Sequence, residues 1–395
     1  MSSDTARAAY SRVITKQHAP AFSLTWTLLL ASIVVVLIQP FISLLFDPQT
    51  TLSNPSTANM TSTVARTLSR EIAKKVRAVE TAEGAGATVR RSIGTPALRN
   101  ISPFLMLDHF KIGEGAGFPD HPHRGQTTVT LVLSGYAQHE DFAGHAGTIG
   151  PGDVQWMNAG RGIMHAEMPI HRDENGNKLP EPEGMQLWVD LPKEAKKEPP
   201  SYQEYRAAQL PTTAADAKEE GDEKGWNIKV IAGESHGVKS PIELPKNGGV
   251  LFLDINLEPS GTVYQTIDPR YNAFVYTLEG SIVIGDHSVT SSKGSTLGFN
   301  PSTTATPGEA VEQFHTLVLT KDGEPGVRIT NPSSDKKARM VLVAGEPLDQ
   351  EVYQYGPFVM TNRQEIQQTL IDFQTGSNGF ERAPGWKSKI GAKMM

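Results

Sequence analysis

The chain has 395 residues, of which 38% are hydrophobic and 20% are charged, values that are ordinary for a globular protein. Its formal net charge of -6 argues against direct, charge-driven binding of nucleic acid, which usually leaves a strongly basic footprint. The chain contains no cysteine, which excludes disulfides, thiolate ligands, iron–sulfur clusters and a cysteine nucleophile. Any bound metal must therefore be held by nitrogen and oxygen atoms.

The amino-terminal segment predicts a membrane anchor. Residues 21–46 carry no charge, and at about 1.5 Å per residue a helix of this length crosses a hydrocarbon core of roughly 30 Å. Basic side chains precede it in residues 1–20, whereas none follows before Arg66, so the amino terminus is expected in the cytosol. These features predict a single-pass membrane protein with its globular part across the membrane.

Residues 47–80 read as a polar stalk followed by a short amphipathic helix. The apolar positions of that helix recur every four residues, at Val64, Leu68, Ile72 and Val76. A second methionine, Met60, offers an alternative start that would leave out the anchor. The sequence leaves both starts open.

From residue 81 onward the pattern indicates an all-β protein. Short apolar, β-branched runs are separated by turn residues about every 8–12 positions, as in a sandwich or barrel. The run Phe274–Gly280 matches Val129–Gly135, which indicates an internal repeat and therefore two tandem barrels. The domain prediction is a first barrel at 81–192, a charged linker at 193–226 and a second barrel at 227–392.

One further element is predicted near the carboxyl terminus. Apolar residues alternate with polar ones between Arg363 and Thr375, and Gly376 follows. This pattern predicts a short amphipathic helix that ends at a glycine cap.

The first barrel contains two pairs of residues suited to binding a metal. His121 and His123 form one pair, and His165 and Glu167 form the other. Residues i and i+2 of a strand point to the same face, so each pair presents two ligands side by side. If the pairs face each other, they form a pocket of three imidazoles and one carboxylate, suited to iron, manganese, nickel, copper or zinc.

The second barrel has no equivalent pair. At the place of the first pair it carries Asp268, Pro269 and Arg270, and His287 and His315 stand alone. Single histidines are usually surface or structural residues. We therefore predict that the second barrel holds no metal.

Several motifs make the chain resemble the pirin family over roughly residues 80–390. They are EGAGATVRRSIGTPALRN from Glu83, HPHRG from His121, HEDFAGH from His139, PGDVQWMNAGRGIMHAEMP from Pro151, YGPFVM from Tyr355 and NGFE from Asn378. The resemblance implies two tandem cupin barrels, that is, double-stranded β-helix or jelly-roll folds. It also implies a monomer located in the nucleus and cytoplasm, in contrast to the predicted anchor.

The resemblance further implies an Fe²⁺ ion, or another divalent transition metal, bound by His121, His123, His165 and Glu167. Where the family usually has Phe-Glu after HPHRG, this chain has Gln126-Thr127. This difference removes the glutamate of the general cupin motif and leaves Glu167 as the sole carboxylate of the predicted site.

Two functions follow from the resemblance. The first is a quercetin 2,3-dioxygenase activity, in which a flavonol ring is cleaved by dioxygen and Glu167 is the catalytic base for the 3-hydroxyl proton. The second is a non-enzymatic, redox-sensing iron protein that acts as a transcription coregulator by contacting a transcription factor. Five polar residues are candidates to orient the ligands in either case, with a turn or surface role as the equal alternative for each: Asp108, Arg124, His139, Glu140 and Gln155.

Overall fold

The computed structural model describes residues 68–215, 223–246, 248–286 and 306–394. The predicted anchor at 21–46, the stalk, Met60 and His287 lie outside these residues. Within the described ranges, no helix is long and apolar enough to cross a membrane.

Strands account for most of the described elements. From the amino terminus to Tyr205 they are β1 (Ile72–Arg77), β2 (Val79–Glu83), β3 (Ala87–Ile93), β4 (Phe104–Lys111), β5 (Phe118–His123), β6 (Gln126–Ser134), β7 (Tyr136–Asp141), β8 (Ala146–Ile149), β9 (Val154–Asn158), β10 (Ile163–Ile170), β11 (Glu183–Asp190) and β12 (Ser201–Tyr205). From Thr212 they are β13 (Thr212–Ala215), β14 (Lys224–Ala232), β15 (Glu234–Ser235), β16 (Val238–Lys239), β17 (Val250–Thr266), β18 (Asn272–Glu279), β19 (Ser281–Ile284), β20 (Val311–Glu312), β21 (His315–Leu319), β22 (Gly326–Thr330), β23 (Ala338–Gly345), β24 (Tyr353–Tyr355) and β25 (Phe358–Met360). In the described ranges, the helices are α1 (Arg363–Thr375) and short 3-10 helices at Ala195–Lys197, Ala207–Gln209 and Gly391–Met394.

The strands form an all-β, cupin-like pair of barrels. In the first barrel, a seven-stranded sheet in the order β12-β9-β6-β11-β4-β3-β2 faces a four-stranded sheet in the order β5-β10-β7-β8. The second barrel is a ten-stranded sheet built on β1-β21-β18-β23-β17-β22-β19-β20, with β14 and β13 attached through β17.

The large sheets of the two barrels pack against each other. Phe104 of the first barrel and Phe274 of the second meet edge to face with ring centroids 5.2 Å apart, and both are buried. The same apolar cluster includes Trp156 and Phe252. A separate apolar cluster fills the second barrel, with Ile228, Ile255 and many other aliphatic side chains.

The predicted amphipathic helix at the amino-terminal edge is wrong over its described part. Ile72 and Val76 lie on strand β1, which pairs antiparallel with β21 in the sheet of the second barrel. A spacing of four residues places side chains on one face of a strand as well as of a helix, so the pattern did not distinguish them. Of these two residues, Val76 is buried.

The described part of the segment predicted as a charged linker contains strands β12 and β13 and the first residues of β14. Strand β12 pairs with β9 at the edge of the first barrel, and β13 pairs with β14 of the second. Apolar side chains in this stretch include Tyr202, Tyr205 and Leu210, and Leu210 is buried in the shared core. The chain therefore passes between the barrels while adding a strand to each.

The carboxyl-terminal helix is confirmed, with the bounds Arg363–Thr375 and a left-handed Gly376 at φ 64°. It packs on the first barrel, although its sequence follows the second. The buried guanidinium of Arg124 donates to Asp372 at 2.8 Å and to the carbonyl of Asn378 at 2.6 Å. The ring of Phe380 lies under that guanidinium, 4.6 Å from its carbon.

Replacing Asp372 by alanine is expected to lower the free energy of unfolding by about 3–5 kcal/mol, because it leaves the charge of Arg124 buried without its carboxylate. Chemical denaturation followed by circular dichroism measures this change. Gln367→Ala, at an exposed position of the same helix, is the matched control and should alter stability by less than about 1 kcal/mol. Equal stability of the two variants would contradict the prediction.

Candidate metal centre

Strand pairing brings the two predicted ligand pairs together. Strand β5 carries His121 and His123, and it runs antiparallel to β10, which carries His165 and Glu167. His165 is the direct cross-strand partner of His121. The structure therefore places three of the four predicted ligands in one cluster, as the alternation of side chains along a strand requires.

The three imidazoles converge on a common point. One ring nitrogen from each of His121, His123 and His165 lies within 4.8 Å of the other two. The Nε2 atoms of His121 and His165 are 3.0 Å apart. Two nitrogens that bind one ion at right angles, with bonds of about 2.1 Å, have about this separation.

Hydrogen bonds orient two of the rings. Nδ1 of His121 lies 2.8 Å from the carbonyl of Pro119, which makes Nδ1 the protonated nitrogen and leaves Nε2 as the donor to a metal. Nδ1 of His123 lies 2.8 Å from the side-chain amide of Gln126. Rotating that amide by half a turn lets its oxygen, otherwise without a partner among the described residues, accept from Nδ1.

The donor set fits a metal ion. Nε2 of His123 is buried and has no hydrogen-bond partner among the described residues. A buried polar atom without a partner is costly, and a metal bond would satisfy it. Burial first, and then the charge of His121, lowers the pKa of His123 and of His165 well below the usual histidine value. Both rings are therefore neutral near pH 7, which is the form that binds a metal.

Glu167 lies apart from the three rings in this structure. In the part of the chain that is described, the ligand-atom cluster contains the three histidines and not Glu167. Its carboxylate accepts from Nε2 of Gln186 at 3.2 Å and lies 3.3 Å from the hydroxyl of Thr130, whose single hydrogen has a closer acceptor in the Gln186 side-chain oxygen at 2.7 Å. The pairing of β10 with β5 shifts between His165 and Glu167, which changes the direction of the second residue relative to the first. Ligation by Glu167 stays a prediction.

A cavity of about 920 Å³ adjoins the cluster. His121, His123 and Glu167 line it together with apolar walls that include Phe110 and Trp188. The ring of Trp188 meets His123 edge to face, with centroids 5.2 Å apart. The lining of the cavity also contains an ion pair, in which Arg91 donates two hydrogen bonds to the carboxylate of Asp108, at 2.7 and 2.6 Å.

The five residues expected to orient the ligands have other partners. Within the described ranges, none of their side chains hydrogen-bonds one of the three histidines. Asp108 forms an ion pair with Arg91, and Arg124 forms one with Asp372. His139 lies 2.8 Å from Glu204, and Gln155 is buried near the same glutamate. Glu140 accepts from the backbone amides of Lys389 and Ile390. The residues that do contact the site, Gln126, Thr130 and Gln186, were not among the predicted ones. Gln126 lies three residues after His123 and is the one that chain proximity could have indicated.

The interior of the second barrel differs from that of the first in its side chains. Its described core is aliphatic and aromatic, and His315 lies at the surface with Nδ1 3.1 Å from the carbonyls of Glu312 and Gln313. That histidine has a structural hydrogen bond. The prediction that this barrel holds no metal stays a prediction.

Two cupin-like barrels, one with a buried cluster of three histidines, define a bicupin class of protein. Residues 86–189 match the family model Pirin, and residues 252–379 match the Pirin C-terminal cupin domain. The chain is 43% identical over 322 residues to Pirin-like protein 2 of Arabidopsis thaliana, covering 82% of this chain and 89% of that one. It is 41% identical over 324 residues to Pirin of Homo sapiens, covering 82% and 99%. The chain belongs to the pirin family, as its motifs predicted.

A solved structure shares the fold. The crystal structure of quercetin 2,3-dioxygenase from Acinetobacter baumannii superposes with a TM-score of 0.65 at 27% sequence identity. The match covers 79% of this chain and 99% of that one.

Proposed function

We propose that this chain is a metal-dependent dioxygenase that opens the central ring of a flavonol, as a quercetin 2,3-dioxygenase does. The observation that carries the proposal is the buried cluster of His121, His123 and His165 at the wall of a cavity of about 920 Å³. Sites that take drug-sized ligands have volumes of roughly 300–1,000 Å³ and mostly apolar walls. The likeness to the Acinetobacter baumannii enzyme supports this reading.

The three imidazoles and Glu167 would hold the ion, which we propose to be Fe²⁺. Nitrogen and oxygen donors of this kind suit iron and its first-row neighbours, and suit magnesium and calcium poorly. When bound, such an ion polarises an oxygen of the substrate and supports its reaction with dioxygen. Gln126 and the carbonyl of Pro119 would fix the rings of His123 and His121 in the ligating orientation.

Glu167 is the proposed general base. Its carboxylate lines the cavity and would accept the proton of the flavonol 3-hydroxyl. Gln186 donates to one carboxylate oxygen and so holds the group in place, and Thr130 in turn lies 2.7 Å from the Gln186 side-chain oxygen. Phe110 and Trp188 would pack on the flat rings of the substrate and exclude water from the reacting carbons.

The test is an aerobic assay of the iron-loaded protein with quercetin. We expect loss of the flavonol absorbance with one carbon monoxide released for each dioxygen consumed, since both oxygen atoms enter the ring-opened ester. Metal-stripped protein and an anaerobic assay are the controls. Iron-loaded protein that binds quercetin without turning it over, and binds a transcription factor only in one iron oxidation state, would overturn the dioxygenase proposal in favour of the coregulator.

A further inference from the structure

The carboxyl-terminal end of the chain contacts the sheet that carries the histidines from its other face. His121, His165 and Asp141 are cross-strand neighbours on β5, β10 and β7. Because side chains alternate along a strand, Asp120 and Glu140 point away from this row, and Asp120, on the edge strand, also borders the cavity. Both carboxylates bind one short segment, Ser388–Gly391, which we call the clasp.

The contacts of the clasp reach both strands that flank β10. The hydroxyl of Ser388 donates to Asp120, and the backbone amide of Ser388 lies 3.3 Å from each oxygen of the same carboxylate. On the other side, the amide of Lys389 donates to Glu140 at 2.8 Å and that of Ile390 at 3.3 Å. A further bond closes the segment on itself, from the amide of Gly391 to the hydroxyl of Ser388 at 2.9 Å.

Ala166, which lies on β10 between the strands that carry Asp120 and Glu140, is completely buried. Ala166 lies on β10 between His165 and Glu167, pairs with Glu140 and has 0% of its surface exposed. Ser388 is also buried, at 2%. Next to this point, Met164 packs against the apolar cluster of Phe358 and Phe380. The clasp therefore lies against packed protein rather than over open surface.

The strand with two of the histidines lies at the edge of its sheet. In the described part of the chain, β5 is an edge strand whose sole strand partner is β10. Hydrogen bonds along one side leave an edge strand able to shift or fray. Asp120 is adjacent to His121 in the chain, so a bond to its carboxylate restrains the backbone from which the imidazole projects.

We infer that the clasp is a positioning element for the metal centre, which fixes β5 against β10 and thereby the spacing of the imidazoles of His121 and His165. The inference rests on the proposed metal site, and it assigns to Asp120, Glu140 and Ser388 a role at that site without contact to the ion. Residues that hold ligands in place typically change metal affinity by about 10- to 100-fold when they are removed.

The experiment uses the full chain with the double substitution Ser388→Ala and Glu140→Ala. Fe²⁺ affinity is measured anaerobically by competition with a chelator, and hydrogen exchange is measured on the metal-free protein at the amides of Asp120, His121 and His123. We expect the affinity to fall about tenfold and the exchange of these amides to speed up by a similar factor. Glu140→Gln keeps an acceptor oxygen and should retain the wild-type values.

The matched control is Lys389→Ala, which removes an exposed side chain and leaves the backbone amide that binds Glu140. Unchanged exchange at β5 in the double variant overturns the inference, whether or not iron binds. Faster exchange with unchanged iron affinity overturns the role in metal binding alone. If the wild-type protein binds no iron while exchange still responds, the proposed function fails and the mechanical role of the clasp stands.

Discussion

Replacing His123 by alanine is expected to lower the iron content of the protein from about one ion per chain to nearly none, because a ligand with no substitute nearby is lost. Nε2 of His123 is buried and has no hydrogen-bond partner among the described residues, and a metal bond would satisfy it. Two imidazoles of the cluster would remain, with a cavity in place of the third ring, and Glu167 lies apart from them. The measurement is elemental analysis after dialysis against Fe²⁺ without oxygen.

The matched control is His315→Ala in the second barrel. That histidine bonds backbone carbonyls at the surface and lies outside the cluster, so its loss should leave the iron content unchanged. Circular dichroism of each variant checks that the barrels remain folded. Equal iron in the wild type and in His123→Ala would remove His123 from the ligand set and, with it, the proposed centre.

The sequence correctly predicted those structural features that depend on residues close together in the chain. His121 and His123 share a face because strand alternation is a local rule, and helix α1 was bounded correctly by its apolar spacing and Gly376. The repeat between Val129–Gly135 and Phe274–Gly280 predicted two barrels for the same reason, and both runs are strands, β6 and β18, in separate sheets. Each of these features is encoded in short stretches of sequence, of which helix α1 with its 13 residues is the longest.

The features that the sequence did not predict are non-local. The irregular pairing between His165 and Glu167 depends on β5, more than 40 residues away, and it separates Glu167 from the three rings. Strand β1 crosses into the second barrel and pairs with β21, at a separation that no periodicity reveals. The bond between Asp120 and Ser388 joins residues 268 positions apart. Local patterns therefore located the histidines of the site. The segments that pack against the site from elsewhere in the chain have no recognisable sequence pattern.

Replacing Glu167 by glutamine is expected to slow quercetin turnover by about 10²- to 10⁴-fold, the range typical of losing a general base. The amide has the same shape, can still accept a hydrogen bond through its oxygen, and cannot take up the proton of the 3-hydroxyl. The amide of Gln186 would continue to donate to the side-chain oxygen and hold the side chain in the cavity. The rate is measured at saturating quercetin and divided by the iron bound to each sample.

Dividing by bound iron separates two roles of the carboxylate. If Glu167 is mainly a base, Glu167→Gln keeps most of its iron and loses turnover per iron. If it is mainly a ligand, the iron content falls and the remaining sites turn over at a rate closer to that of the wild type. Glu181→Gln, an exposed carboxylate on the chain just before β11, is the control and should change neither quantity. Wild-type turnover and iron content in Glu167→Gln would exclude both roles, and the base would have to be sought among the other cavity residues, where Asp108 is already engaged by Arg91.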